Sequence, residues 1–293
     1  MREESIHTDR PISLLGNLRT GISIMRYYWK TVVAIYFVSL ILAFFAVGPM
    51  SSLFSGLLAN TELYDALNDG YDHTIIMDIK NNHPDALGLA ASWAMSMLIP
   101  YLLWSIFYSG SIMGHVRDYY NSEAKPDFFR SGGRYFKRFL LLSFAIFLVM
   151  TICASLLSTI IIALGINPFD QMSENALIIR ISIAVIIFLI VFFLLSIYKE
   201  VAKVIISDDN KGNQKGKLSQ VSQFTFSRKG LGLGLLFLLL LTILSGLYFL
   251  LRYLMGENII PLVIVGQLFM LSRIAYKFIK TATFHHAIIA LEK

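Results

Sequence analysis

Three arginines stand in or beside apolar runs: Arg180, Arg252 and Arg273. A guanidinium next to hydrocarbon is costly, so such residues mark an anionic substrate, an ion pathway or a pairing at the membrane edge. Arg180 falls near the start of one run and Arg252 near the end of another, with Asp170, Glu174 and Glu257 close by in sequence. Arg273 sits within about two turns of the end of its run, where its side chain can snorkel to water. A proton relay needs carboxylates or histidines at depth, and the sequence places none there. The reading is therefore edge pairing and snorkelling for all three, with a substrate-binding arginine as the alternative.

The other reactive side chains are less suggestive. His285 and His286 are adjacent, so on a helix they point about 100° apart and share a metal poorly; His73 and His83 lie among Asp72, Asp78 and Asp85. Neither set has the i, i+4 spacing or compact arrangement that zinc requires, and both are expected in solvated loops. In "SDDNKGNQKGK" the carboxylates Asp208 and Asp209 are expected to cap a helix end or solvate a linker. "GLGLG", Gly230 to Gly234, lacks the lysine and hydroxyl residue that complete a phosphate loop. The lone Cys153 permits no intrachain disulfide and no cysteine cluster. No nucleophile–base pair or nucleotide fingerprint stands out, so no catalytic residue, metal or cofactor is expected, and the protein is not read as an enzyme.

The elements that must carry these residues follow from composition. Of 293 residues, 56% are hydrophobic and only 15% charged, against roughly 25% charged in soluble domains, and the mean hydropathy is +0.65. A bilayer core of about 30 Å needs roughly 20 apolar residues in a helix, and six runs satisfy this: Thr31–Met50, Leu87–Met113, Phe139–Leu164, Ala176–Ile197, Leu231–Leu254 and Ile259–Phe278. They are too long and continuous for barrel strands. The fold class is all-α: a polytopic helical membrane protein with six transmembrane helices in a single domain, 1–293.

Six spans put both termini on one side. That side takes 22 of the 25 Lys and Arg, leaving Lys80, Arg180 and Arg252 opposite, while acidic residues divide ten and nine. By the positive-inside rule both termini are cytoplasmic, in a bacterial inner (plasma) membrane. The amino terminus is too charged and interrupted for a removable leader, and Arg2 does not suit N-myristoylation. The one sizeable outer loop, Ser51–Ala86, is acidic, and its role is not legible.

A threefold pattern runs through the chain. "RYYWK" at Arg26, "RYFKR" at Arg134 and "FTFSRK" at Phe224 each precede an odd-numbered span, and "LRTG" at Leu18 matches "FRSG" at Phe129. The even-numbered spans end alike, in "SIFYSG", "LSIYKE" and "RIAYKF" around Tyr108, Tyr198 and Tyr276. Three units, about 11–120, 124–210 and 217–293, account for this, each an amphipathic elbow helix on the membrane surface followed by a span out and a span back. The rival account is that every membrane crossing favours basic and aromatic residues at its edge.

In the first elbow Ile12, Leu15, Leu18, Ile22 and Ile24 or Met25 form the apolar face, opposite Asn17, Arg19, Thr20 and Ser23. In the second, Pro126 and Asp127 supply a turn and an N-cap, Phe128, Phe129, Tyr135 and Phe136 are the expected buried set, and Gly132 with Gly133 provides a bend into the span. Gly110 with Gly114, and Gly230 with Gly234, are expected to pack helices closely. Each basic residue near an anionic leaflet contributes about 1 kcal/mol, so Arg26, Lys30, Arg130, Arg134, Lys137, Arg138, Arg228 and Lys229 are the candidate contacts to anionic lipid headgroups. The cytoplasmic charge is explained by orientation, without nucleic acid.

The elbow-plus-two-spans unit, with a join such as "KPDFFRSGGRYFKRFLLL", resembles the six-span bacterial membrane proteins related to the membrane domain that accompanies some glycerophosphodiester phosphodiesterases. The resemblance covers nearly the whole chain through pattern and topology. It implies a lipid-associated or accessory membrane protein, and it transfers no catalytic residue because the phosphodiesterases carry theirs on a separate soluble barrel. The expected function is a non-enzymatic, lipid-associated scaffold partnered by the phospholipid bilayer and an unidentified protein. The alternative is a transporter or lipid-moving protein with an anionic substrate.

Overall fold

The computed structural model describes residues 13–58, 84–121, 127–163, 174–207, 214–255 and 259–292, together with Met77 and Asn81. These form eight main helices: α1 (Leu14–Tyr27), α2 (Trp29–Leu58), α3 (Pro84–Asn121), α4 (Phe128–Ala163), α5 (Glu174–Ser207), α6 (Gln214–Thr225), α7 (Arg228–Met255) and α8 (Ile259–Glu292). Among the described residues there is no strand. Six helices are long and apolar enough to cross a membrane, over Trp29–Pro49, Ala91–Tyr120, Phe128–Leu156, Ser182–Ser207, Arg228–Met255 and Pro261–Ala290. The chain is a polytopic helical membrane protein.

Local chemistry sets the joints. Ser13 caps α1 by accepting a hydrogen bond from the Gly16 N–H at 3.1 Å, and Asp127 caps α4 by accepting from the Phe129 N–H at 3.0 Å. Ser227 does the same for α7, accepting from the Gly230 N–H at 3.0 Å. Such side-chain acceptors satisfy amides that a helix start leaves without a partner. α1 and α6 are separate elbow helices before α2 and α7, whereas the second elbow is the first turns of α4.

Three sequence expectations change here. α4 runs unbroken through Gly132 and Gly133, so the pair marks no interruption of the helix. A Cβ on Gly132 would lie 2.6 Å from the Phe107 ring and 2.7 Å from Ser111 Oγ, whereas one on Gly133 would meet nothing within 4 Å. Gly132 therefore serves close approach, and Gly133 does not. Gly132→Val is expected to lower stability by about 1–2 kcal/mol through overpacking, while Gly133→Ala raises it by up to about 1 kcal/mol through helix propensity. Thermal unfolding in detergent checks this, and equal losses at both positions would restore the bend.

The second change concerns which elbow face is buried. Asn17, assigned to the polar face of α1, is 3% exposed, whereas Leu15 is 70% exposed. Gly21, one turn on, lies so close to α8 that an added Cβ would collide with Thr283 Oγ1 and the Ile279 carbonyl. Asn17 and Gly21 thus meet protein together with Ile24, while Leu15 is left exposed, as small and polar residues allow close helix approach. Phe129 follows the same logic at 70% exposed, while Tyr135 is buried.

The third is the length of the return helices. α5 and α8 continue well past Ile197 and Phe278, and their extensions are buried at Val201, Ala202, Ala282 and Phe284. His285 and His286 consequently lie on a helix instead of in a solvated loop: His285 is buried, and His286 Nδ1 is 2.9 Å from the Tyr120 hydroxyl. His73, His83, Ile12, Asp208 and Asp209 lie outside the described residues, as does most of the acidic loop, which α2 and α3 shorten from both sides.

Both buried clusters sit at the elbow end. One joins Tyr135 and Phe139 of α4 with Ile197 and Val201 of α5, Phe237 of α7 and Phe284 of α8. The other joins Ile24 of α1 with Ile35 of α2, Ile112 of α3 and Phe278 of α8. The return helices α3, α5 and α8 make the middle, and the elbows dock on them: the start of α4 on α3, α6 on α5, and α1 on α8. The glycine pairs work as expected, with Gly110 and Gly114 against Gly132 and Ser131, and Gly234 against Ile197. At the opposite end large side chains such as Phe44, Ile152 and Leu254 are exposed.

Candidate functional site

The return helices bring five cationic side chains together, of which only Arg273 was a candidate from the sequence. On α5 the residues Phe192, Leu195, Ser196, Lys199, Glu200 and Lys203 step by three and one, which is a single helix face. On α8 Arg273, Lys277, Lys280 and Thr281 share a face by the same spacing, and α3 contributes Ser105, Tyr108 and Ser109. At 1.5 Å per residue, Lys199 lies about 26 Å and Lys277 about 24 Å into their spans, close to the elbow-side limit of a roughly 30 Å hydrocarbon core.

Glu200 is 7% exposed and Lys203 3%; they pair at 2.9 Å from Nζ to Oε1. Thr281 Oγ1 donates to the other carboxylate oxygen at 3.4 Å. Two of the other ammonium groups reach hydroxyls: Lys280 Nζ donates to Ser196 Oγ at 3.1 Å, and Lys277 Nζ to Ser105 Oγ at 3.2 Å and to the Ser105 carbonyl at 3.3 Å. Lys277 also stands 3.9 Å over the Tyr108 ring, a favourable cation–π contact. One carboxylate serves a group of four lysines and an arginine.

Two cavities open on this group. The first, about 270 Å³, lies among α3, α4, α5 and α8 and is lined by Ser105, Ser143, Ser196, Lys199, Lys203 and Lys277, among others. The second, about 290 Å³, is lined by Ser39 of α2, Leu241 of α7, and Tyr101, Arg273, Lys277 and Lys280. Ser105, Glu200 and Lys277 line both, so the Lys277–Ser105 contact stands between them. Ammonium groups held among serine hydroxyls in a partly dry site are suited to binding an anion. Among the described residues no group of three His, Cys, Asp or Glu could hold a metal.

The sequence-derived candidates separate into three sets. Arg273 joins the cluster, its guanidinium 5.9 Å from the Phe269 ring. Arg252 is exposed at the far end of α7, away from the lysines, and Arg180 lies in the far-end portion of α5, its side chain outside the described residues. Arg26, Lys30, Arg130, Arg134, Lys137, Arg138, Arg228 and Lys229 are all exposed at the elbow end; Arg138 also donates to the Ile206 carbonyl at 3.2 Å. Glu200 lies beside Lys199 near the elbow-side limit of its span, beyond the run that ends at Ile197.

Lys199, Glu200, Lys203 and Lys280 were missed because the hydropathy runs end at Ile197 and Phe278, just before them, and Lys277 because it is the last residue but one of its run. The usable signal was their i, i+3 and i+4 spacing, continued by the apolar "VAKVIIS" and "TATFHHAIIA". No protein-family model, curated protein or solved structure matches the chain.

Proposed function

We propose that this chain is a non-enzymatic membrane protein that binds an anionic substrate in the lysine-lined chamber and hands it between the membrane and the elbow-side compartment. The observation that carries this reading is the convergence of Lys199, Lys203, Lys277, Lys280 and Arg273 around one carboxylate on two cavities. Uncompensated charge in a low-dielectric site is unfavourable, and an anion supplied from outside relieves it. The charge bias of the loops supports a bacterial inner membrane with both termini, and hence the chamber, on the cytoplasmic side.

The scaffold reading keeps a complementary part. The exposed basic residues from Arg26 to Lys229 suit attachment of the elbow end to anionic headgroups, and the resemblance to lipid-associated six-span proteins points the same way. An attached protein partner fits that surface as well.

The test is thermal unfolding of the purified full chain in non-ionic detergent, titrated with inorganic phosphate, glycerol 3-phosphate and phosphatidic acid. At least one of these is expected to stabilise the wild type. Lys199→Gln with Lys277→Gln should weaken that ligand by about tenfold or more, as loss of charge-assisted hydrogen bonds implies. Stabilisation by none of the anions, or by all of them equally in the double variant, would overturn the proposal.

A further inference from the structure

The first cavity is amphipathic along its length, and its two ends are built for different chemistry. Toward the elbow end lie Lys199, Lys203 and Lys277 among serine hydroxyls. Away from it, α4 and α5 present Ile146, Met150 and Phe192. The lining on α4 runs from Phe139 to Met150 and that on α5 from Lys203 back to Phe192, eleven residues in each case, or about 16 Å of antiparallel groove. Phe192 is 54% exposed, so the apolar end faces outward from the bundle at a depth where the surroundings are acyl chains.

A free inorganic anion would use only the polar end. The apolar arm is then unaccounted for, and a dry, lipid-facing groove is a poor route for a hydrated ion. An amphiphile uses both ends, with its phosphate against the ammonium and hydroxyl groups and one acyl chain along α4 and α5. Resting on the anion-binding reading above, we infer that the substrate is a phosphate-bearing membrane lipid that enters sideways between α4 and α5, with Lys199, Lys203 and Lys277 receiving its phosphate and Ile146, Met150 and Phe192 receiving its tail. Glu200, already paired with Lys203, sets the charge of the polar end and disfavours a second anionic group beside the first.

Two ligands with the same phosphate chemistry separate the sources: phosphatidic acid and glycerol 3-phosphate, each measured with the full chain in non-ionic detergent, by native mass spectrometry for the lipid and thermal shift for both. Phosphatidic acid is expected to bind at least about tenfold more tightly than the tail-less phosphate, and phosphatidylcholine, lacking net charge, more weakly than phosphatidic acid. Ile146→Trp, which fills the apolar arm, should weaken the lipid by about tenfold and leave glycerol 3-phosphate within about twofold. Met150→Trp provides the same test if Ile146→Trp lowers the melting temperature without ligand.

Equal affinity of the two phosphates in the wild type would overturn the lipid inference and leave the anion-binding proposal standing. Lipid binding unaffected by both tryptophan variants would do the same. Binding of neither ligand would remove both.

Discussion

Glu200→Ala is expected to destabilise the folded chain by about 3–5 kcal/mol, as removal of one partner from a buried ion pair does. Lys203 is nearly inaccessible and its ammonium is held by Glu200 Oε1 at 2.9 Å. The same carboxylate accepts from Thr281, so its loss also leaves a buried hydroxyl without its acceptor. Removing the charge on both sides should restore part of the loss: Glu200→Ala with Lys203→Met is expected to be more stable than Glu200→Ala alone, a non-additivity diagnostic of direct coupling. The milder Glu200→Gln makes the chamber more positive, so anion affinity should rise by several-fold even as stability without ligand falls. Opposite signs in ligand-free melting temperature and anion affinity would distinguish a charge-setting carboxylate from a merely structural one. A fall in both would rule that role out.

Gly230→Ala is expected to cost about 2–3 kcal/mol, a large effect for one methyl group. The carbon would collide with the Phe224 carbonyl oxygen and crowd the Thr225 carbonyl at 3.2 Å. These are backbone atoms, and no rotamer change moves them. The Phe224 carbonyl is further held by Ser227, whose N–H donates at 3.1 Å and whose Oγ donates at 2.7 Å. The α6–α7 corner therefore has little freedom to relax. Gly246, where a Cβ meets nothing within 4 Å, is the control: Gly246→Ala should be neutral or slightly stabilising. Thermal unfolding and the monodisperse fraction on size-exclusion chromatography measure both, and a Gly230→Ala protein as stable as wild type would show that the corner yields.

What was readable in the sequence follows the physics of the solvent. Hydrocarbon demands long apolar helices, so the spans and the helical class were legible from composition and run length alone, and the caps at Asp127 and the packing glycines from residue type. The apolar and polar faces of the first elbow were legible from spacing, but that Asn17 on the polar face is buried was not, because only the neighbouring helices decide what that face meets. The chamber was hidden by the same scale that found the spans. A lysine such as Lys199 or Lys280 ends a hydropathy run whether it meets water or a cavity, and only the neighbouring helices decide which. Ser105 and Ser196, which accept hydrogen bonds from Lys277 and Lys280, carry almost no hydropathy signal.

The docking of α1 on α8 has a consequence for how the protein is made. Gly21 fits only against Ile279 and Thr283, which are synthesised some 260 residues later. At about 5–20 residues per second, the first elbow is made roughly 13–52 s before its seat exists, while Asn17 and Gly21 present a small, polar face to the membrane surface. Completion of the last helix is thus the event that seats the first elbow. A chain cut short before α8 retains most of its spans but lacks the seat against which its N-terminal helix packs.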